Sequence, residues 1–133
     1  MTRTVRFSAG HHYGRDDWSA ERNRQVFGAG VHPHGHNYEV QVKVSGEVEA
    51  ETGFLVDLGA LDLLLEEQIR APFDQRDLNQ VIEPFRTGAT QPSTEELAHH
   101  LWRKLVDRIP GAARLVSVVV RESDTLSAEV RAE

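Results

Sequence analysis

Residues Tyr38 to Ser45 alternate without a break, with Tyr38, Val40, Val42 and Val44 on one parity and Glu39, Gln41, Lys43 and Ser45 on the other. Successive side chains of a strand point to opposite faces, so this segment has one apolar face to bury and one polar face for water. A second period-2 segment runs through Val5, Phe7, Ala9 and His11, with Arg3, Arg6 and Ser8 supplying polar character. Near the other end, Leu115 to Glu122 is valine-rich, with Val116, Val118, Val120 and Glu122 on one parity. Thr125 to Arg131 alternates Leu126, Ala128 and Val130 with polar neighbours, and a tight turn around Ser123 and Asp124 is expected between the two.

Two helices are predicted between the strand pairs. Asp57 caps a segment whose apolar positions Leu58, Leu61, Leu65 and Ile69 recur at three and four residues, and Pro72 is expected to end it. Pro92, Ser93 and Glu96 form a capping-box pattern ahead of Leu97, Leu101, Trp102 and Leu105, with Pro110 and Gly111 as the stop. Arg15 to Arg24 is charged and carries Trp18, and Gly28, Gly30 and Gly35 then punctuate a long irregular segment. The order strand, strand, helix, helix, strand, strand predicts an α+β domain with two helices on one face of a four-stranded antiparallel sheet.

The 133 residues are expected to form one domain, 1–133, large enough to bury a core without staples. Lys and Arg number 15 against 21 Asp and Glu, and this acidic balance argues against a nucleic-acid partner or a basic membrane-surface helix. There is no cysteine, which removes disulfides, thiolate ligands and thiol nucleophiles and agrees with a reducing compartment. With no apolar leader-like stretch in Met1–Gly10 and no run long enough to cross a bilayer, the expected location is the cytoplasm, without membrane contact.

Five of the seven histidines crowd into His11, His12, His32, His34 and His36. If the Tyr38 strand extends backwards, His34 and His36 share a face, and His11 shares the parity of Val5, Phe7 and Ala9. Three imidazoles match an open tetrahedral zinc site whose fourth position takes water or substrate. Taken singly, each is as readily a hydrogen-bonded or surface histidine; His12 and His32 read as neighbours, and His99 and His100 as surface or subunit-contact residues. Glu122 ends an otherwise apolar strand face, where a carboxylate either leaves the core for water, joins a salt bridge, or receives paired hydrogen bonds from a guanidine-like ligand edge. Ser93, Thr94 and Glu95 open the second helix and offer capping or a polar pocket. Asp74 and Gln75 follow the first helix in a turn-like stretch.

Taken together, Phe7-Ser8-Ala9-Gly10-His11, His34-Gly35-His36-Asn37-Tyr38, Thr52-Gly53-Phe54, Leu78-Asn79, Ser93-Thr94-Glu95 and Arg121-Glu122-Ser123 resemble, in order and over nearly the whole chain, the 6-pyruvoyl tetrahydropterin synthase and 6-carboxy-tetrahydropterin synthase family. The resemblance implies a T-fold that trimerises into a barrel and stacks as a homohexamer, a dimer of trimers, with active sites at subunit interfaces. It implies that His11, His34 and His36 hold zinc, that Glu122 anchors the amino-pyrimidine edge of a pterin, and that Ser93, Thr94 and Glu95 line the pterin pocket. In such proteins zinc polarises the hydroxylated side chain of the substrate while a Cys, His and Asp group moves protons.

The departures fall on that last group. Gly30 stands where the family places its cysteine, and Asp74-Gln75 stands where it has Asp-His, so Asp74 alone remains of the three. A glutamine amide cannot shuttle a proton near neutral pH. The expectation is a pterin-binding homologue without the ordinary synthase reaction. The alternatives are an active zinc-dependent lyase on dihydroneopterin triphosphate or a related pterin, with His32, His12 or zinc-bound hydroxide as substitute base, and a scaffold with an unused pocket.

Overall fold

The structure is a computed structural model that describes residues 1–133. Strand β1, Thr2–His11, pairs antiparallel with β2, His34–Ser45, which pairs with β4, Arg114–Ser123, and this in turn with β5, Leu126–Arg131. These are the four antiparallel strands expected from the alternation. A fifth, β3, contributes only Arg76–Asp77 and runs parallel to β1 at Ala9 and Gly10, giving the order β3-β1-β2-β4-β5. Two residues carry no periodicity, which is why this edge strand has no sequence signal.

The inward row runs through Phe7, Ala9 and His11 on β1, Tyr38, Val40, Val42 and Val44 on β2, and Leu115, Val118 and Val120 on β4. The rings of Phe7 and Tyr38, directly paired across the strands, stack with centroids 5.1 Å apart. On the other face Arg6 and Glu39 form an exposed ion pair at 3.1 Å. Val116, expected among the inward residues, is only half-buried. The β2–β4 register shifts between Lys43 and Val44, so Lys43 faces Ser117 while Val44 faces Leu115, and Val116 is the extra residue of a β-bulge. The bulge swaps parity at this point and puts Leu115 in the core instead.

Helix α2, Leu58–Leu65, is capped by Asp57, whose side chain accepts the Ala60 N–H. Pro72 does not end this helical segment. The chain continues through a wide turn over Glu66–Arg70, in which the Ala71 N–H returns to the Glu66 carbonyl, and into the short α3, Ala71–Phe73. Widening the turn just ahead of the ring accommodates a residue that has no N–H to donate. As a result Ile69 and Phe73 join Leu61 and Leu65 in the core. Helix α6, Thr94–Leu105, starts where its capping pattern predicts, with the Ser93 hydroxyl accepting the Glu96 N–H at 3.2 Å, and buries Leu97, Ala98, Leu101 and Leu105 against the sheet. All 21 buried apolar residues belong to one cluster.

Three helices lie in stretches read as irregular or turn. Helix α1, Ala20–Phe27, is capped by Ser19 and buries no residue, so its charged sequence has no apolar stripe to reveal it. The short α4, Leu78–Val81, and α5, Glu83–Arg86, pack Leu78, Ile82 and Phe85 inward between β3 and α6. His100 also departs from expectation: it lies half-buried on α6 beside Phe73 and Phe85, with ring centroids 6.1 and 6.4 Å away, rather than on the surface.

Candidate metal centre

The β1–β2 pairing creates the site directly. Ala9 faces His36, Gly10 faces Gly35 and His11 faces His34, so three imidazoles occupy the end of the inward row where apolar packing stops. The central glycine pair permits this close approach, because a Cβ on Gly35 would lie 3.1 Å from the Ala9 carbonyl oxygen and one on Gly10 3.3 Å from that of His34. His11 Nε2 is 3.0 Å from His34 Nε2 and 3.1 Å from His36 Nε2.

Carbonyl groups fix two of the rings. His11 Nδ1 lies 2.9 Å from the Pro92 carbonyl oxygen and His34 Nδ1 2.8 Å from that of His32. A carbonyl only accepts, so each Nδ1 carries its proton and each neutral Nε2 presents a lone pair. Two lone pairs 3.0 Å apart repel unless a cation lies between them. Burial holds the His11 imidazolium down, to about 4, against the opposing pull of the Pro92 carbonyl and with further lowering from His34 and His36. A proton shared at neutral pH is therefore disfavoured, and the donor set fits a metal ion held by His11, His34 and His36, whose ligand atoms all lie within 4.8 Å of one another.

Glu122 approaches the same point from β4. Its Oε1 lies 3.6 Å from both His11 Nε2 and His36 Nε2, is buried, and has no hydrogen-bond partner. The β4–β5 register shifts between Arg121 and Ser123, which leaves Glu122 outside the ladder to β5, while its side chain continues the inward row of Val118 and Val120 into the site. Of the α6 residues, Ser93 is occupied as the cap, Thr94 is buried with an unpartnered hydroxyl, and Glu95 is exposed in the first turn. Pro92 brings this helix start to His11.

On the far side of the imidazoles, a cavity of about 550 Å³ is bordered by His11, His34, His36, Asn37, Gln75 and Asp77. Gln75 has φ of +60°, a left-handed conformation that is strained for a residue with a side chain, and its N–H donates to the Ser8 carbonyl at 2.6 Å. Asp74 does not border this cavity. Its carboxylate accepts the Ser8 N–H at 3.0 Å and pairs with Arg70 at 3.4 Å, so within one chain it pins β1 to the end of α3.

The space beside Gly30 is filled from elsewhere. A Cβ on Gly30 would lie 2.7 Å from Cδ2 of Tyr13, whose ring stands 5.1 Å from that of His11 and stacks on Phe27 at 5.7 Å. Burial pushes the Tyr13 phenol up to about 12, helped by the charges of Glu122 and Glu95. The neighbouring histidines offer less. His12 is bound through its backbone, its N–H to Asn79 Oδ1 at 2.9 Å and its carbonyl to Asn79 Nδ2 at 3.1 Å, while the His32 side chain is exposed.

Sequence reasoning gave no site role to three residues that shape the site: Asn79, Gln91 and Tyr13. Gln91 repeats the Asn79 arrangement on Gly14, at 2.9 and 3.0 Å. Two primary amides thus clamp the segment that follows His11. The Leu78-Asn79 pair was visible as a family motif, but an isolated Gln or Tyr in a loop has no spacing to mark it.

A sheet with three imidazoles at the end of its covered face and a buried carboxylate beside them defines a metal-capable α+β protein with a small polar site. The sequence profile described as "6-pyruvoyl tetrahydropterin synthase" matches residues 1–133, and the chain belongs to that family. It is 34% identical over 126 residues to the Homo sapiens 6-pyruvoyl tetrahydrobiopterin synthase, covering 93% of this chain and 85% of that protein. It is 30% identical to a probable 6-carboxy-5,6,7,8-tetrahydropterin synthase of Halobacterium salinarum, covering 95% and 82%. The Caenorhabditis elegans 6-pyruvoyl tetrahydropterin synthase structure superposes with a TM-score of 0.88 at 28% identity, covering 100% of this chain and 94% of that one. The fold is that of these synthases, the T-fold.

Proposed function

We propose that residues 1–133 act as one T-fold domain that binds a reduced pterin and does not carry out the family's ordinary synthase reaction. The observation that carries this reading is the pairing of Tyr13 with Gly30: the position of the ionisable cysteine has no side chain, and an aromatic ring already occupies the space beside it. The chain contains no cysteine at all to take over, and Gln75 supplies an amide where the family has a histidine.

Binding groups remain. The unpartnered, buried Glu122 Oε1 is an acceptor in search of donors, and the two adjacent N–H groups of an amino-pyrimidine edge match a carboxylate in the bidentate manner of a guanidinium. Thr94, also buried and unpartnered, adds a hydroxyl at the helix start. His11, His34 and His36 suit zinc, which when bound supplies a Lewis acid for a hydroxyl or carbonyl oxygen. The protein's own contribution is to hold two of the three imidazoles, His11 and His34, in one tautomer through Pro92 and His32, and to keep a carboxylate beside the cluster.

The proposal extends to a cytoplasmic homohexamer of two trimers. The short β3 edge and the open β5 edge both leave backbone groups for pairing with other copies, which supports assembly.

The deciding experiment is mass spectrometry of 7,8-dihydroneopterin triphosphate after incubation with the zinc-supplemented protein, with Glu122→Ala as control. Unchanged substrate together with Glu122-dependent binding is expected. A Glu122-dependent product would instead establish an active lyase with a substitute base.

A further inference from the structure

The chain leaves β1 at His11, and side-chain amides then take the place of a neighbouring strand. Asn79 accepts the His12 N–H and donates to its carbonyl, and Gln91 does the same for Gly14, at 2.9 and 3.0 Å. Exchanging both bonds with one residue is what an antiparallel partner would do. The two clamps differ in what they carry with them. Asn79 belongs to α4, whereas Gln91 is joined to Pro92, whose carbonyl accepts the His11 Nδ1 proton at 2.9 Å. Pro92 is buried and has no N–H with which to hold itself. Gln91 supplies the hold: its amide grips Gly14, and its own carbonyl accepts the Ser93 N–H at 2.8 Å, closing a tight turn with Pro92 at its centre.

His11 Nδ1 has a second neighbour. The buried Tyr38 hydroxyl lies 3.3 Å from it, farther than the Pro92 carbonyl oxygen. A carbonyl only accepts, so it requires the proton on Nδ1; a hydroxyl also donates, and when it donates to Nδ1 the imidazole proton sits on Nε2. In that second tautomer the His11 N–H points at His34 Nε2 and His36 Nε2, 3.0 and 3.1 Å away, and is spent on a hydrogen bond within the cluster. The two forms carry the same charge and differ in which neighbour holds Nδ1.

We propose that Gln91 is a positioning residue of the metal centre: through Gly14 it holds the Pro92 carbonyl against His11 Nδ1, and so keeps His11 in the tautomer that leaves Nε2 free for a metal ion, against the alternative set by Tyr38. This rests on the reading of His11, His34 and His36 as metal ligands and adds to it the device that keeps the ligand set competent. The tautomer half of the claim stands apart from the metal half, since it concerns only which nitrogen of His11 carries the proton.

The test uses the full chain, metal-free and with zinc, and the variants Gln91→Ala, Gln91→Glu and Gln91→Ala/Tyr38→Phe. Long-range nitrogen–proton NMR correlations identify the protonated nitrogen of His11, competition with a chromophoric chelator gives the zinc affinity, and thermal midpoints of the metal-free protein follow the fold separately. Gln91→Ala is expected to move His11 toward the Nε2–H tautomer and to lower zinc affinity by about 10-fold or more, the scale of losing a group that orients a metal ligand. Adding Tyr38→Phe removes the competing donor and should return the Nδ1–H signal and most of the affinity, which a loss of packing alone would not do. Gln91→Glu keeps the acceptor for the Gly14 N–H but presents no donor to the Gly14 carbonyl. It should shift the tautomer in the same direction, and it carries the comparison if Gln91→Ala does not fold. An Nδ1–H tautomer retained in both Gln91 variants would overturn the proposal even if the midpoints fall, because Gln91 would then serve the fold alone. Failure of the added Tyr38→Phe to restore the tautomer would overturn the competition between Pro92 and Tyr38. Absence of zinc binding by the unaltered protein would overturn the metal reading, while the metal-free tautomers would still decide what Gln91 does to His11.

Discussion

His11 Nε2 and His34 Nε2 face each other at 3.0 Å while each ring gives its Nδ1 proton to a carbonyl, Pro92 for one and His32 for the other. The backbone dictates which nitrogen is free, and both free nitrogens point at His36 or at each other. The arrangement suits a cation placed between the free nitrogens.

Removal of metal should therefore destabilise the protein. At a free zinc concentration about 100 times Kd, binding adds about 2.7 kcal/mol, which for a chain of this size moves Tm by several degrees. Calorimetry with and without chelator checks this, and His34→Ala should abolish the difference. Cobalt substitution gives an independent reading, since three imidazoles should produce a tetrahedral visible spectrum that His34→Ala loses.

Glu122 sits buried with one oxygen unpartnered, and under the pterin-binding proposal that oxygen receives hydrogen bonds from the ligand. Glu122→Gln keeps the shape and loses the charge. A charge-assisted hydrogen bond contributes about 1.5–3 kcal/mol, so the variant should bind reduced pterins about 10- to 100-fold more weakly. Titration of the variant and the unaltered protein at one metal loading tests this, and equal affinities would remove Glu122 from the ligand contacts.

Asn79 is 8% exposed and satisfies both backbone groups of His12. Asn79→Ala leaves an N–H and a carbonyl without their partner, at a cost of about 1–3 kcal/mol. Because His12 adjoins His11, the same variant should also weaken metal affinity. Urea unfolding and metal titration measure the two effects, and a stability loss without any change in metal affinity would confine Asn79 to folding.

His100 gives a pH signature away from the metal. Burial beside Phe73 and Phe85 lowers its pKa to about 4, with Lys104 and Arg103 adding to the shift, against 6.5 for the ordinary group. The unfolded chain then binds the proton more readily between about pH 4 and 6.5, so the contribution of this residue to stability is complete above pH 6.5 and is lost as pH falls through that window. The approaching charges are Lys104 and Arg103 on the same helix, while Phe73 and Phe85 present apolar rings. Denaturation midpoints at pH 7.5 and 5 should differ less in His100→Leu than in the unaltered protein.

Alternation on Tyr38–Ser45 and Val5–His11 was enough to predict the strands and the face that each buries, because period 2 is a property of the backbone alone. The same parity placed His11, His34 and His36 on one side. It failed at Val116, where a bulge reverses parity without any local signal, and at Pro72, where a widened turn carries the helix past a residue expected to stop it. The Pro-Ser-Thr-Glu start of α6 read correctly since its cap is a contact three residues long.

Sequence by itself therefore determined the alternating strands, the capped helices, the histidine cluster and the family, all of which rest on residues close together in the chain or on motifs preserved in order. Tertiary structure decided how the cluster works. Pro92, 81 positions from His11, chooses its tautomer; Glu122, at the end of the inward row of β4, reaches the imidazoles only because β4 pairs with β2; and Tyr13 fills the space at Gly30 across a loop. Each is a contact between segments distant in sequence, and its geometry depends on the register and crossing of strands, which no local pattern encodes.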